Sequence, residues 1–135
     1  MISNAKRALK KLEQSPLKLT SQRIKLIETI FSGGNHHYTA NEIHKLANDQ
    51  DKKVSLATIY NSLKQFTKYG IVKEVRVSHD KVYYDTNHKD HHHFFYKKTG
   101  KLEDIEVSKV KINKIPDLPE GSVLDSVEVI INVHE

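Results

Sequence analysis

Nine histidines occur in this 135-residue chain, and five of them fall in two tight clusters, His36-His37 and His91-His92-His93. In an extended segment side chains alternate, so His91 and His93 share one face and His92 takes the other. Two imidazoles on one strand face form a bidentate anchor for a divalent transition metal. Asp104 adds a carboxylate, because a hairpin turn centred on Lys98 and Thr99 sets residues 93 and 104 nearly opposite one another. Asp85 ends the preceding strand, just across a short polar joint. Two blander readings stand beside this one: an exposed polar run, or rings packed against Phe94 and Phe95. His36-His37, in the loop before a helix, reads more simply as a surface pair. The chain has no Cys, which excludes disulfides and thiolate metal sites.

The elements that must position these residues change character along the chain. Ile2–Glu13 carries a weak amphipathic stripe of Ile2, Ala5, Leu9 and Leu12, and Pro16 interrupts it. Thr20 or Ser21 caps a second helix with Ile24, Leu26, Ile27, Ile30 and Phe31 inward, stopped by Gly33-Gly34. Thr39-Ala-Asn-Glu42 is a capping box opening a third helix. A polar turn over Asn48–Lys53 follows, and Ser55 caps a fourth helix with Leu56, Ile59, Leu63 and Phe66 at helical spacing until Gly70. The period then becomes two: Ile71–Val77 and Val82–Thr86 predict a hairpin turning at Ser78–Lys81. Helices followed by such a hairpin are the layout of a winged helix-turn-helix, whose last helix, Ser55–Tyr69, enters the major groove.

Beyond residue 86, His91–Tyr96 and Lys101–Glu106 read as a second hairpin. Val107–Lys114 reads as one or two helical turns, Pro116 and Pro119 mark a loop, and Ser126–Val133 reads as a strand with Val127, Val129, Ile131 and Val133 on one face. The expected fold class is α+β: a winged-helix domain over 1–86 and a small α/β domain over 87–135. The second is too small for a good core of its own, which predicts pairing with another copy. Charge divides in the same place. The whole-chain charge of +5 separates into +7 over residues 1–86 and −2 over 87–135, as expected when one half faces phosphates. No apolar run approaches the roughly 20 residues that span a bilayer, and the N-terminus has no signal-peptide core, so a soluble cytoplasmic protein is expected.

Leu17-Lys-Leu-Thr-Ser-Gln-Arg23, His36-His-Tyr-Thr-Ala-Asn-Glu42, Ser55-Leu-Ala-Thr-Ile-Tyr60 and Asp90-His-His-His93 followed by Gly100-Lys-Leu-Glu-Asp104 together resemble the ferric-uptake regulator (Fur) family, from about residue 9 onward. Asn61, the Asp-His-His-His-Phe-Phe run and Pro116-Asp-Leu-Pro-Glu-Gly121 further resemble its iron response regulator (Irr) branch. The resemblance implies an N-terminal winged-helix domain, a C-terminal dimerisation domain and a regulatory metal between them. Carried over position by position, the implied ligands are His37, Asp85, His91, His93 and Asp104, a set that suits Fe(II), Mn(II) or Zn(II). The resemblance also points to double-stranded DNA with an A·T-rich palindrome. Tyr60 would lie near a thymine methyl, Lys18 in the minor groove and Arg23 on phosphate, with Ser55 and Thr58 in the same recognition motif. Asn61 replaces the usual Arg, and Asn pairs bidentately with adenine where Arg prefers guanine.

Several family features are missing, and others admit alternatives. The two Cys-x-x-Cys pairs that hold structural zinc in many relatives are absent, the first falling at Tyr96 and Thr99, as is the Cys-Pro haem motif of some Irr-type proteins. A haem mode through the His91–His93 run remains an alternative effector. A second metal site could draw on Asp90 and His92, with His88 and His134 as further candidates. The expected function is a metal-responsive transcriptional regulator and not an enzyme. A peroxide-sensing version with iron at the same ligands is the alternative within that class. Outside it stand a metal-dependent hydrolase, disfavoured by so full a ligand set without an added base or oxyanion group, and a metal buffer without DNA affinity.

Overall fold

The computed structural model describes residues 3–49 and 53–134. The chain divides into two compact units, Met1–His88 and Lys89–Glu135. Among the described residues no helix is long and apolar enough to cross a membrane.

The first unit holds four helices, α1 (Asn4–Gln14), α2 (Ser21–Ile30), α3 (Ala40–Asn48) and α4 (Leu56–Lys68). Each begins on a Ser or Thr whose hydroxyl accepts a backbone N–H of the first turn: Ser3 from Lys6, Thr20 from Arg23, Thr39 from Glu42 and Ser55 from Thr58. These caps satisfy donors that a helix cannot satisfy itself. At Thr39 the box is complete, since the Glu42 carboxylate also accepts the Thr39 N–H at 2.9 Å. Ile59, Leu63 and Phe66 line one face of α4 and are fully buried, together with Leu12, Ile27, Ile30 and Ile43. Asn48 closes the α3–α4 connection: its Oδ1 accepts the Val54 N–H at 2.6 Å and its Nδ2 donates to the Val54 carbonyl at 3.1 Å.

Three strands complete this unit, β1 (His37–Tyr38), β2 (Lys73–Ser78) and β3 (Lys81–Asp85), in the order β1-β3-β2 and all antiparallel. The helices and the β2–β3 hairpin make a winged helix-turn-helix. The first expected helix starts at Asn4, with Ile2 outside the described residues, as are residues 50–52 of the expected turn. The expected strand from Ile71 begins instead at Lys73, because Ile71 and Val72 are spent in the helical core. His37, expected in a loop, lies in β1. Two residues cannot show a period, and the strand exists because β3 offers it an edge.

The second unit is a three-stranded sheet of β4 (His91–Tyr96), β5 (Leu102–Glu106) and β6 (Ile130–Val133), ordered β5-β4-β6. β4 pairs antiparallel with β5 and parallel with β6. Gly100, at φ +75°, allows the β4–β5 turn and donates its N–H to the Tyr96 carbonyl at 2.8 Å. Its left-handed backbone is open to glycine without a Cβ clash. The expected helix over Val107–Lys114 shrinks to one 3-10 turn, Val107–Lys109. Val107, Val110 and Ile112 are β-branched, which weakens a helix there. The last strand is shorter than expected, starting at Ile130. Of its expected apolar face, Val127 and Ile131 remain exposed while Val129 and Val133 are half-buried. The small core is Phe95, Leu102 and Ile105, with His92 and His93 buried beside them.

Candidate metal centre

In the first unit the β1–β3 register sets His37 directly opposite Asp85. His37 Nε2 lies 3.4 Å from Asp85 Oδ2, and the Asp85 side chain is fully buried. The other oxygen, Oδ1, accepts the Asn87 N–H at 2.8 Å. The ladder continues one step beyond the strands, where the Thr86 N–H reaches the His36 carbonyl and the His36 N–H reaches Thr86 Oγ1. Both sides of the His37–Asp85 pair are thus fixed by backbone. A carboxylate taken out of water is costly unless positive charge or donors meet it; here the Asn87 N–H meets one oxygen, and the His37 imidazole lies near the other without a hydrogen bond from Nε2.

In the second unit the hairpin register is His93↔Asp104, with His91 two residues before on the same face of β4. His91 Nε2 and His93 Nε2 stand 3.3 and 3.5 Å from the same oxygen, Asp104 Oδ1. The two rings lie 4.5 Å apart, centroid to centroid, and one donor atom from each of the three residues falls within 4.8 Å of the others. The protonation of His91 can be read from its back. Its Nδ1 approaches the Lys89 carbonyl at 2.5 Å, and a carbonyl only accepts, so Nδ1 carries the proton. In the neutral ring, Nε2 then directs a lone pair at a carboxylate oxygen. Two acceptors facing each other call for a proton or a cation between them, and an all-nitrogen-and-oxygen donor set of this kind fits Fe(II), Mn(II) or Zn(II).

His92, on the opposite face, is buried, and its Nδ1 accepts the Val129 N–H at 2.9 Å. Asp90 is exposed, as are His88 and His134. Two contacts were not legible from residue types: the Lys89 carbonyl behind His91, and Glu128, whose Oε1 lies 3.2 Å from His93 Nδ1. A carbonyl leaves no sequence signal, and Glu128 reaches His93 only through the β4–β6 pairing.

The nucleic-acid candidates lie in the first unit. Ser55 and Thr58 are used at the start of α4, where their hydroxyls also meet at 2.9 Å. Tyr60 is 49% exposed while its neighbour Ile59 is fully buried, so the tyrosine is not a core residue; Asn61 is exposed beside it. Tyr60 lines a groove with Asn41 of α3 and with Arg76, His79 and Lys81 of the wing. Arg76 is held there by Glu74 at 3.0 Å and by the His79 carbonyl at 2.9 Å. Burial, with Glu74 and Tyr60 adding to it and Arg76 opposing, raises the phenol pKa of Tyr84 in the same groove. Lys18 is exposed ahead of α2, and Arg23 Nη1 donates to the Lys18 carbonyl at 2.9 Å, which ties the Lys18 segment to the helix.

The model of the ferric uptake regulator family matches residues 14–128. The peroxide-responsive repressor PerR of Staphylococcus aureus is 33% identical over 95 residues, which are 70% of this chain and 64% of that relative, so the match spans less than two thirds of the relative's length. Among solved structures, the ferric uptake regulator of Pseudomonas aeruginosa with manganese superposes with a TM-score of 0.75 at 20% identity, over 95% of this chain and 97% of that one. The ferric uptake regulator of Francisella tularensis with iron gives 0.71 at 17% identity, over 88% and 92%. At such identities the structural likeness speaks for the fold. From the family match over residues 14–128, the chain belongs to the ferric uptake regulator family.

Proposed function

We propose that this chain is a metal-responsive, DNA-binding transcriptional regulator acting as a homodimer, with His37, Asp85, His91, His93 and Asp104 as ligands of one divalent ion, iron or manganese, with zinc also suited. The observation that carries the reading is the back-to-front arrangement of His91, whose Nδ1–H donates to the Lys89 carbonyl while Nε2 turns its lone pair on Asp104. Two donors in one unit and three in the other are each too few for such an ion, and only residues 86–90 separate Asp85 from His91 along the chain. Five intervening residues reach at most about 20 Å, so each partial site meets the other at high effective concentration. His37, His91 and His93 would hold such an ion through imidazole lone pairs and Asp85 and Asp104 through carboxylate oxygens, and its charge would offset the two carboxylates.

The chain's own residues do the rest. His37 and Asp85 belong to the sheet of the winged helix, so holding them to His91, His93 and Asp104 fixes the angle at the joint. In a dimer that angle sets the spacing of two α4 helices, and only a spacing matching the half-sites lets both dock. DNA then tightens metal binding by the factor by which metal tightens DNA binding. On the duplex, Tyr60 and Asn61 read bases, Ser55, Thr58 and Arg23 hold phosphate near the start of their helices, and Lys18 reaches the minor groove of an A·T-rich palindrome. The exposed apolar residues of the second unit, among them Ile112, Leu118 and Val123, favour a second copy as their cover. The proposal leaves out haem, because His92 and His93 are buried, and assigns His92 to fastening β6. This activity places the protein in the cytoplasm.

Gel-shift titration of the full chain on an A·T-rich palindrome tests the reading. A shift that needs Mn(II), Fe(II) or Zn(II) and reverses with chelator is expected, and metal binding without DNA affinity at low salt would sink it. The likeness to the Staphylococcus aureus peroxide-responsive repressor favours one second reading, peroxide sensing at the iron-loaded site. Mass spectrometry after peroxide treatment of the Fe(II) protein then finds one added oxygen on His37 or His91; neither residue gaining mass counts against it.

A further inference from the structure

Arg7, on α1, is half-buried, and its Nε is buried with no hydrogen-bond partner among the described residues. A guanidinium stays charged at any pH a folded protein meets, so the proton on Nε cannot be shed. Leaving such a donor unmet inside the protein costs more than the bond itself would contribute. Arg7 lines a cavity of about 40 Å³ that lies wholly within the first unit. Lys11, one turn further along α1, lines the same cavity, and its Nζ donates to the Gly70 carbonyl at 2.9 Å. Lys73 and Asp85 line it too and are register partners on β2 and β3. Setting those two against each other leaves Arg7 and Lys11 as uncompensated positive charge. The Asp85 oxygens are turned elsewhere, Oδ1 to the Asn87 N–H and Oδ2 toward His37.

We propose that this cavity is a binding site for a small free oxyanion of the phosphate class, held by Arg7 and Lys11. A water molecule takes about 30 Å³ in the liquid, so the cavity has room for a water or for the inward-facing oxygens of a compact oxyanion. It has none for a sugar or a base. A water would satisfy the Nε–H and leave both positive charges unanswered. A phosphate or sulfate oxygen accepts the Nε–H and offsets the charges as well, and hydrogen bonds between ionised partners are the shorter and stronger kind. Asn87 and His88 complete the lining and are the last residues before the second unit begins at Lys89. An ion bound here therefore joins α1 to the exit of the first unit and steadies the two together. Its source is an ion in solution and not a DNA strand. Gly70 stands past the C-terminal end of α4, and the 13 residues of that helix put it roughly 20 Å from the end that carries Ser55 and Thr58. The site needs no metal ion and does not rest on the metal reading.

The test uses the full-length, metal-free chain labelled with 15N on arginine. It is titrated with sodium phosphate and with sodium sulfate, against sodium chloride at equal ionic strength. Phosphate and sulfate are expected to shift the Arg7 Nε–H resonance saturably and to raise the urea midpoint, with chloride doing neither. Arg7→Met keeps the apolar stem while removing donor and charge, and is expected to weaken phosphate binding roughly 10–100-fold by calorimetry. Lys11→Met is expected to weaken it as well. A resonance that answers phosphate no more than chloride overturns the proposal, as does phosphate affinity unchanged in Arg7→Met. If the methionine variant does not fold, Arg7→Lys carries the test, since it keeps the charge and loses Nε: weaker phosphate binding supports the site, and unchanged binding overturns it. A DNA duplex that moves the Arg7 resonance where inorganic phosphate does not also overturns the free ion, and gives the cavity to a backbone phosphate instead.

Discussion

In the first unit Phe66, Ile27, Ile30, Ile43, Ile59 and Leu63 are completely buried, whereas in the second Val123 is 90% exposed and Ile112, Ile115, Leu118 and Leu124 are exposed with it. Helices close the first core with their own caps and a sheet edge. The second core has three strands and a long connection that buries almost nothing, and its best-buried side chains include two histidines. The difference shows how a small unit can spend its few buried positions on polar side chains while leaving apolar ones outside, which is the surface that the proposed second copy would cover.

The contrast breaks or sharpens on substitution. Phe66→Ala is expected to cost about 3–5 kcal/mol and to unfold the first unit in urea titration. Ile131→Ala, at a position 39% exposed, is expected to stay within about 0.5 kcal/mol of the parent while weakening self-association in sedimentation. Equal destabilisation by the two would erase the distinction. Mn(II) at one hundred times its dissociation constant should stabilise the chain by about 2.7 kcal/mol, and chelator should reverse it; His91→Ala should show no increment in thermal melts. Thr39→Ala removes the capping box and should cost about 1 kcal/mol, measured by urea titration, without changing self-association.

The smallest effect is at high pH. Burial raises the pKa of Tyr84 and of Tyr38, with Glu42 adding to the second. A phenol with a folded pKa above its unfolded value near 10.0 stabilises fully below that value, and the contribution fades as pH rises through the folded one. Tyr84→Phe should therefore flatten the loss of stability as pH rises beyond about 10, as read by urea midpoints.

Much of this was legible in the residues because it was local. Ser and Thr caps, the Thr39–Glu42 box and the run from Ile59 to Phe66 announce helices through periodicity and first-turn chemistry. The opposition of His93 and Asp104 follows from counting outward from a turn. What escaped depends on partners distant in the chain. β1 is two residues long and exists through β3, the turns expected after residue 107 met β-branched residues, and Glu128 comes within 3.2 Å of His93 only once β6 is laid parallel to β4. The five candidate ligands come from the family resemblance together with the histidine pattern, and the structure adds how His37 lies against Asp85 and what stands near His91 and His93.

The parallel pairing of β4 with β6 has a kinetic consequence. Strands joined in parallel need a crossover, and here it runs from residue 110 to residue 129 with little regular structure to shorten it. The entropy of closing that loop must be met before β6 returns any contacts, whereas the β4–β5 hairpin closes across a tight turn. In refolding, the hairpin should therefore form early and β6 should dock late, so that amide protection at residues 130–133 lags behind that at residues 102–106. Newly made chains would pass through a period in which the β4–β5 hairpin is formed while the edge of β4 that takes β6 is still open.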